Sequence, residues 1–173
     1  MTYFPYNHEL ARAVAARFIQ LEGGVINKMK LMKLMYLLDR EAICEDGCAI
    51  IGGCYMSFPY GPIVSEELDA ANYNAWRGIL KSDSGYYLQL NGEDYGFDLL
   101  SEWVEEKIQA VYNKFGKMTQ FELSDYTHQK ENCPEWKNPS PKKTEYISLR
   151  DIAGDKADEV EALAQELSMF AKR

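Results

Sequence analysis

The side chains able to do chemistry in this sequence are few. Two histidines, His8 and His128, and four cysteines, Cys44, Cys48, Cys54 and Cys133, are the metal-ligating and nucleophilic candidates. The cysteines fall at uneven spacings, without the short C-x-x-C knuckles of a zinc ribbon, so reduced thiols packed as small apolar side chains are expected. A zinc site would need His128 and Cys133 to approach Cys44 and Cys48 in space. A nucleophile would need His128 beside Cys133 or Cys54, and no neighbour in sequence lowers the pKa of either thiol. The paired acids Glu66-Glu67, Glu105-Glu106 and Asp158-Glu159 fall on faces expected to be exposed, and read as solvating charge instead of acid/base dyads. No glycine-rich phosphate loop is present. The expectation is a protein that is not an enzyme and uses no cofactor and no metal.

The elements that must position these residues follow from length and periodicity. A chain of 173 residues, 46% hydrophobic and 13% aromatic, holds enough apolar material for one domain, residues 1–173, without staples. No apolar run reaches the roughly 20 residues of a membrane span, and the start lacks the basic-then-apolar order of a secretory signal. A cytoplasmic protein with no membrane contact is expected. The net charge of −8 opposes a phosphate backbone and suits a basic partner surface.

Asn7 is placed to cap a helix ending near Leu21, with Leu10, Val14, Phe18 and Leu21 as its stripe and Arg12 and Arg17 pointing elsewhere. Asn27 is placed to cap a second helix over residues 28–45. This helix is apolar on two faces, through Leu31, Leu34, Leu38 and Ala42 and through Met29, Met32, Tyr36 and Ile43. Only the strip of Lys30, Lys33 and Arg40 is polar, so the helix should be packed on two sides at the centre of the fold. Residues 49–58 read as extended, then Pro59-Tyr60-Gly61-Pro62 as a turn, and Ser65 as the cap of a helix to about Trp76. Residues 79–81 and 86–89 read as a β-hairpin. A strong helix is expected over 97–115, a capping box at Thr119 opens a helix to about His128, and three prolines make 133–143 a loop. Ser148 starts a short helical turn. Asp155 is placed to cap a last helix with Val160, Leu163, Leu167 and Phe170 in one stripe. The fold class is therefore mainly α, a compact helical domain around the two-sided helix, with a small β-hairpin or short sheet.

Three blocks stand out along this path: Lys30-Leu31-Met32-Lys33-Leu34-Met35-Tyr36, then Tyr60-Gly61-Pro62-Ile63-Val64, then Leu123-Ser124-Asp125-Tyr126-Thr127-His128 followed by Trp136. In order and separation they resemble the K-L-x-K-L-x-Y helix, the Y-G-P-hydrophobic turn and the L-S-x-x-T-H…W block of the Panacea domain, the SocA-like or phage-associated GepA-like family. The resemblance spans about residues 28–137. The prolines after Trp136 depart from its polar continuation, and a C-terminal helix within 150–173 lies outside it. It implies a mainly helical fold and the role of antitoxin in a two-gene toxin–antitoxin system, neutralising a cognate protein toxin encoded nearby by direct contact.

Lys30, Lys33, Tyr36, Tyr60, Gly61, Pro62, Ser124, Thr127, His128 and Trp136 are accordingly the candidate signature and partner-interface residues. Each also has a plainer role. Leu31, Leu34 and Tyr36 pack the central helix, and Lys30 and Lys33 sit solvated on its polar strip. Gly61 and Pro62 shape a turn. Thr127, His128 and Trp136 cap and anchor the proline-rich loop, which also makes a more rigid interface. A proteolytic adaptor is one alternative function. A DNA-binding phage or operon regulator is another, suggested by helix, Gly23-Gly24, helix with Lys28, Lys30 and Lys33 on the second, although the apolar middle of that helix opposes groove exposure and makes nucleic acid a poor partner. A homodimer is compatible with the sequence.

Overall fold

Asn7 opens α1 (His8–Leu21) by accepting the Leu10 N–H, and Asn27 opens α2 (Lys28–Asp46) by accepting the Lys30 N–H. Each thereby satisfies one of the donors that the first turn of a helix leaves unpaired. Gly47 closes α2 in the left-handed conformation, with φ 76°. The computed structural model describes residues 1–172.

Between these helices Val25–Asn27 forms β1, which pairs antiparallel with β5 (Tyr87–Leu90), itself paired with β4 (Ile79–Lys81). The expected hairpin is present. Its third strand was not legible, because three residues after Gly23-Gly24 are too short to show a period. Helix, strand, helix also replaces the tight turn of a helix-turn-helix. A second antiparallel sheet has the order β3-β2-β6, from β2 (Tyr55–Phe58), β3 (Gly61–Val64) and β6 (Glu145–Tyr146). The expected turn over residues 59–62 is thus narrower: Phe58 pairs with Gly61, leaving Pro59 and Tyr60 as the tip, and Gly61 and Pro62 belong to a strand.

The helices after it start and stop differently from expectation in three places. α3 (Ser65–Asn72) takes Val64 at its cap with no side-chain bond, so Ser65 lies inside the helix, which ends short of Trp76. The 97–115 segment is split into a 3-10 turn (Phe97–Leu99) and α4 (Glu102–Phe115), with Ser101 accepting the Val104 N–H at the break. α5 (Gln120–His128) carries the expected reciprocal capping box of Thr119 and Glu122, and Ser148 caps α6 (Leu149–Ala153). Asp155 lies in a 3-10 turn (Gly154–Lys156), and α7 (Ala157–Ala171) has no side-chain cap.

α2 is the centre. It packs against α1, α4, α5, α6 and β3, and Leu31, Leu34, Met35, Leu37 and Leu38 are all buried along it. Truncating any of these leucines to alanine should cost about 2–5 kcal/mol. The protein is mainly α with a minor β component, as the periodicities required. α1 is buried on more faces than its stripe predicted: Arg12 is 3% exposed, because it donates to the Arg77 and Asp94 carbonyls and pairs with Glu9. The last stripe is only half used. Val160 is buried, whereas Leu167 and Phe170 are exposed. No helix among the described residues is long and apolar enough to cross a membrane.

Candidate functional site

The β2–β3 turn is held from below by side chains of three separate elements. Trp136 Nε1 donates to the Phe58 carbonyl at 3.0 Å, Ser124 Oγ donates to the Tyr60 carbonyl at 2.9 Å, and Lys33 Nζ donates to the Pro62 carbonyl at 2.9 Å. The Pro59 carbonyl faces the His128 ring. A run of turn carbonyls that would otherwise need water is thus met by side chains from α2, α5 and the proline-rich loop.

Gly61 makes this closeness workable. Its φ is +109°, and a Cβ there would stand 2.6 Å from Thr127 Oγ1 and 2.8 Å from Lys33 Nζ. Thr127 is fully buried beneath it, with its hydroxyl bonded back to the Leu123 and Ser124 carbonyls of its own helix at 3.0 Å each. Thr127 therefore does not tie down the proline-rich loop through that hydroxyl. His128 and Trp136 do meet across it, as stacked rings with centroids 4.1 Å apart. Burial and then the nearby Lys33 ammonium push the His128 pKa down, and its Nε2 is buried without a hydrogen-bond partner among the described residues.

Lys30 and Lys33 are not the solvated strip that the polar face of α2 predicted. Lys33 is 1% exposed with no carboxylate within ion-pair distance among the described residues, and burial pushes its pKa down to about 7. Lys30, one turn before Lys33, is buried against different neighbours: it donates to the Gly116 carbonyl at 2.7 Å and pairs with Glu22. It is the one candidate that lies apart from the turn. Tyr36 is fully buried and joins the cradle indirectly, by donating to Glu135 Oε1 at 2.7 Å. Arg40 grips the same carboxylate with two nitrogens, at 2.6 and 3.2 Å. This fork anchors the loop next to Trp136, and the charge-assisted bonds explain how Glu135 can be 3% exposed.

Glu135 escaped the sequence reading, its signal being an acid between Pro134 and Trp136 in a segment read only as a proline loop. Asp39 escaped too. It is fully buried on α2, where it accepts the N–H groups of Ile50, Ile51 and Gly52 at 2.8 to 2.9 Å and the Tyr55 hydroxyl at 2.8 Å. Burial pushes its pKa up, against the pull of those four bonds. Its signal was a lone acid directly after Leu37-Leu38. Glu67 overturns the expectation for the Glu66-Glu67 pair: it is fully buried, and neither carboxylate oxygen has a hydrogen-bond partner among the described residues. Glu66 instead accepts the Cys54 N–H at 2.9 Å.

The four cysteine thiols are held toward their neutral form. Cys133 is buried beside Glu135, and burial raises its pKa to about 12, away from the thiolate a nucleophile needs. Burial also raises the pKa values of Cys44, Cys48 and Cys54. Cys44 donates its thiol to the Ile152 carbonyl. Among the described residues no group of three or more His, Cys, Asp or Glu side chains is placed to hold a metal ion. What the arrangement can do is present a shape: Tyr60 stands at the tip of the braced turn, 66% exposed.

No curated protein matches this chain, and no solved structure does. Residues 31–137, from the first leucine of α2 to the residue after Trp136, match the family model of the SocA-like antitoxin, Panacea domain, and the chain belongs to that family.

Proposed function

We propose that this protein is the antitoxin of a type II toxin–antitoxin system, which silences a protein toxin encoded beside it by direct, stoichiometric contact in the cytoplasm. Family membership supports the antitoxin role. The observation that carries the contact mechanism is Tyr60, an exposed ring on a turn whose carbonyls are held by Lys33, Ser124 and Trp136. A tyrosine presented on a rigid tip loses little entropy on binding, which is what a strong interface anchor requires. The protein acts by binding and not by catalysis, a reading supported by Lys33, Ser124, Thr127 and Trp136, whose polar groups are engaged with backbone carbonyls inside the fold.

The test is growth of a host expressing the protein encoded by the neighbouring open reading frame, with and without this chain, followed by co-purification. Arrest relieved by the chain, together with a complex of fixed stoichiometry, is the expected result. The Tyr60→Ala variant should keep its thermal midpoint and lose rescue. Toxicity that persists with soluble chain present, or rescue without a complex, would overturn the contact mechanism.

A further inference from the structure

Beside Tyr60 the surface opens into a cavity of about 130 Å³ floored by Met29, Met32, Phe58, Ile63 and Leu68. An engineered apolar cavity of roughly 150 Å³ accepts benzene, so this space fits one large aliphatic or aromatic side chain. Across Lys28 and Met29 it continues into a wider depression of about 530 Å³ reaching Ser84, Tyr86, Gln120 and Phe121. Tyr60, Tyr86 and Phe121 line the lips of this groove with their rings largely exposed, at 66%, 69% and 69%.

The charge beside the groove is opposite to that of the whole chain. Lys28 Nζ donates to Asn72 Oδ1 at 2.6 Å and Lys81 Nζ donates to the Asn72 carbonyl at 2.8 Å, so two ammonium groups converge on one uncharged residue. Neither has a carboxylate within 4.0 Å among the described residues, so both charges are free to meet one from outside. Burial and the neighbouring Lys81 both push the Lys28 pKa down, which a carboxylate supplied from outside would reverse.

We infer that this groove receives a segment of the toxin in which a large apolar side chain, Leu, Ile or Phe, is flanked by a carboxylate. The apolar side chain fills the cavity over Met29 and Met32. The carboxylate lies against Lys28 and Lys81, and Tyr60 and Phe121 close over the segment from either side. This rests on the antitoxin reading and names the chemistry that the antitoxin recognises. It also separates two ranges of electrostatics: the net negative field acts on the whole approaching partner, and the basic groove acts on one segment within a Debye length of about 10 Å.

The test uses the full chain and the protein encoded by the neighbouring open reading frame. Binding is measured for the wild type, for K28E, F121S and L68W, and for L167S as a control on the exposed end of α7. K28E places an acid at the first position of α2, where the helix dipole favours it, and Phe121 is exposed, so both variants should fold with an unchanged thermal midpoint. The expected result is a Kd at least tenfold weaker for K28E, F121S and L68W, and within twofold of wild type for L167S. In a scan of overlapping toxin peptides, the segment bound should carry an apolar side chain next to Asp, Glu or a C-terminal carboxylate. Wild-type rescue and binding with all three groove variants within twofold would overturn the groove and leave the antitoxin reading standing. A bound peptide without a carboxylate would overturn its stated chemistry. A wild-type chain that neither rescues nor binds would overturn both readings together.

Discussion

Lys33 Nζ and the Pro62 carbonyl lie 2.9 Å apart, and the missing side chain of the adjoining Gly61, whose Cβ would stand 2.8 Å from Lys33 Nζ, leaves room for the contact. A lysine near the start of the core helix is thereby matched to a backbone oxygen of the β2–β3 hairpin. Side chains of α5 and of the proline-rich loop bond the remaining carbonyls of the same tip, so one small hairpin is braced by parts of the chain far apart in sequence.

Gly61→Ala tests that relationship. The new Cβ would need a φ of +109° and would fall 2.6 Å from Thr127 Oγ1 and 2.8 Å from Lys33 Nζ. Backbone strain and the displaced neighbours should together cost about 2–4 kcal/mol, lowering the thermal midpoint by roughly 5–15 °C. A calorimetric midpoint within 2 °C of wild type would show that the turn is not held as described.

Lys33 should write itself into the pH dependence of stability. Its ordinary pKa is 10.5, and burial lowers it to about 7 in the folded protein. Between these values the unfolded chain holds the proton and the folded chain has released it. The contribution of this group to stability therefore rises with pH from about 7 to 10.5 and is flat below 7. Urea unfolding of the wild type and of Lys33→Met across this window should differ in slope, with a few kcal/mol of pH-dependent stability absent from the variant. Parallel curves would remove the buried-ammonium description.

Glu67 should act with the opposite sign. Burial first, then Asp39 and Glu66, hold its folded pKa well above the ordinary 4.5. The unfolded chain releases this proton first, so stability contributed by the neutral acid is complete at low pH and declines as pH rises from the ordinary carboxylate range through the folded value. Glu67→Gln, which keeps the shape and cannot ionise, should match the wild type near pH 4 and exceed it near pH 8. A glutamine variant less stable than wild type at pH 8 would contradict a buried neutral acid.

Asp39→Asn should be costly although the two side chains have nearly the same shape. Asp39 accepts four hydrogen bonds, through both oxygens. An amide offers one accepting oxygen, and its NH2 group would face donors that had been satisfied. Losing two bonds and leaving buried donors unpaired should cost about 2–4 kcal/mol. Hydrogen exchange at the Ile50, Ile51 and Gly52 amides should accelerate in the variant, and unchanged protection there would argue against the carboxylate clamp.

The family and the helices were legible in the sequence because both are written locally. Asn7, Asn27, Thr119 and Ser148 cap helices through the N–H of a residue three positions on, and the stripe of Val104, Ile108, Val111 and Phe115 repeats with the period of one helix. The two-sided apolar pattern of α2 likewise announced the core. What tertiary structure alone decided was the environment of the polar side chains. Lys33 reads as solvated on any helical wheel, yet its partner lies 29 positions away; Tyr36 and Glu135 are separated by 99 positions and Trp136 and Phe58 by 78. β1 and β6, of three and two residues, show no period and exist because β5 and β2 offer them a ladder. A side chain's periodicity depends on its neighbours along the chain, whereas its burial, its pKa and its hydrogen-bond partner depend on what the fold brings against it. The Panacea signature was therefore readable as a pattern, and its work as a brace for the Tyr60 turn appeared only when the three blocks met.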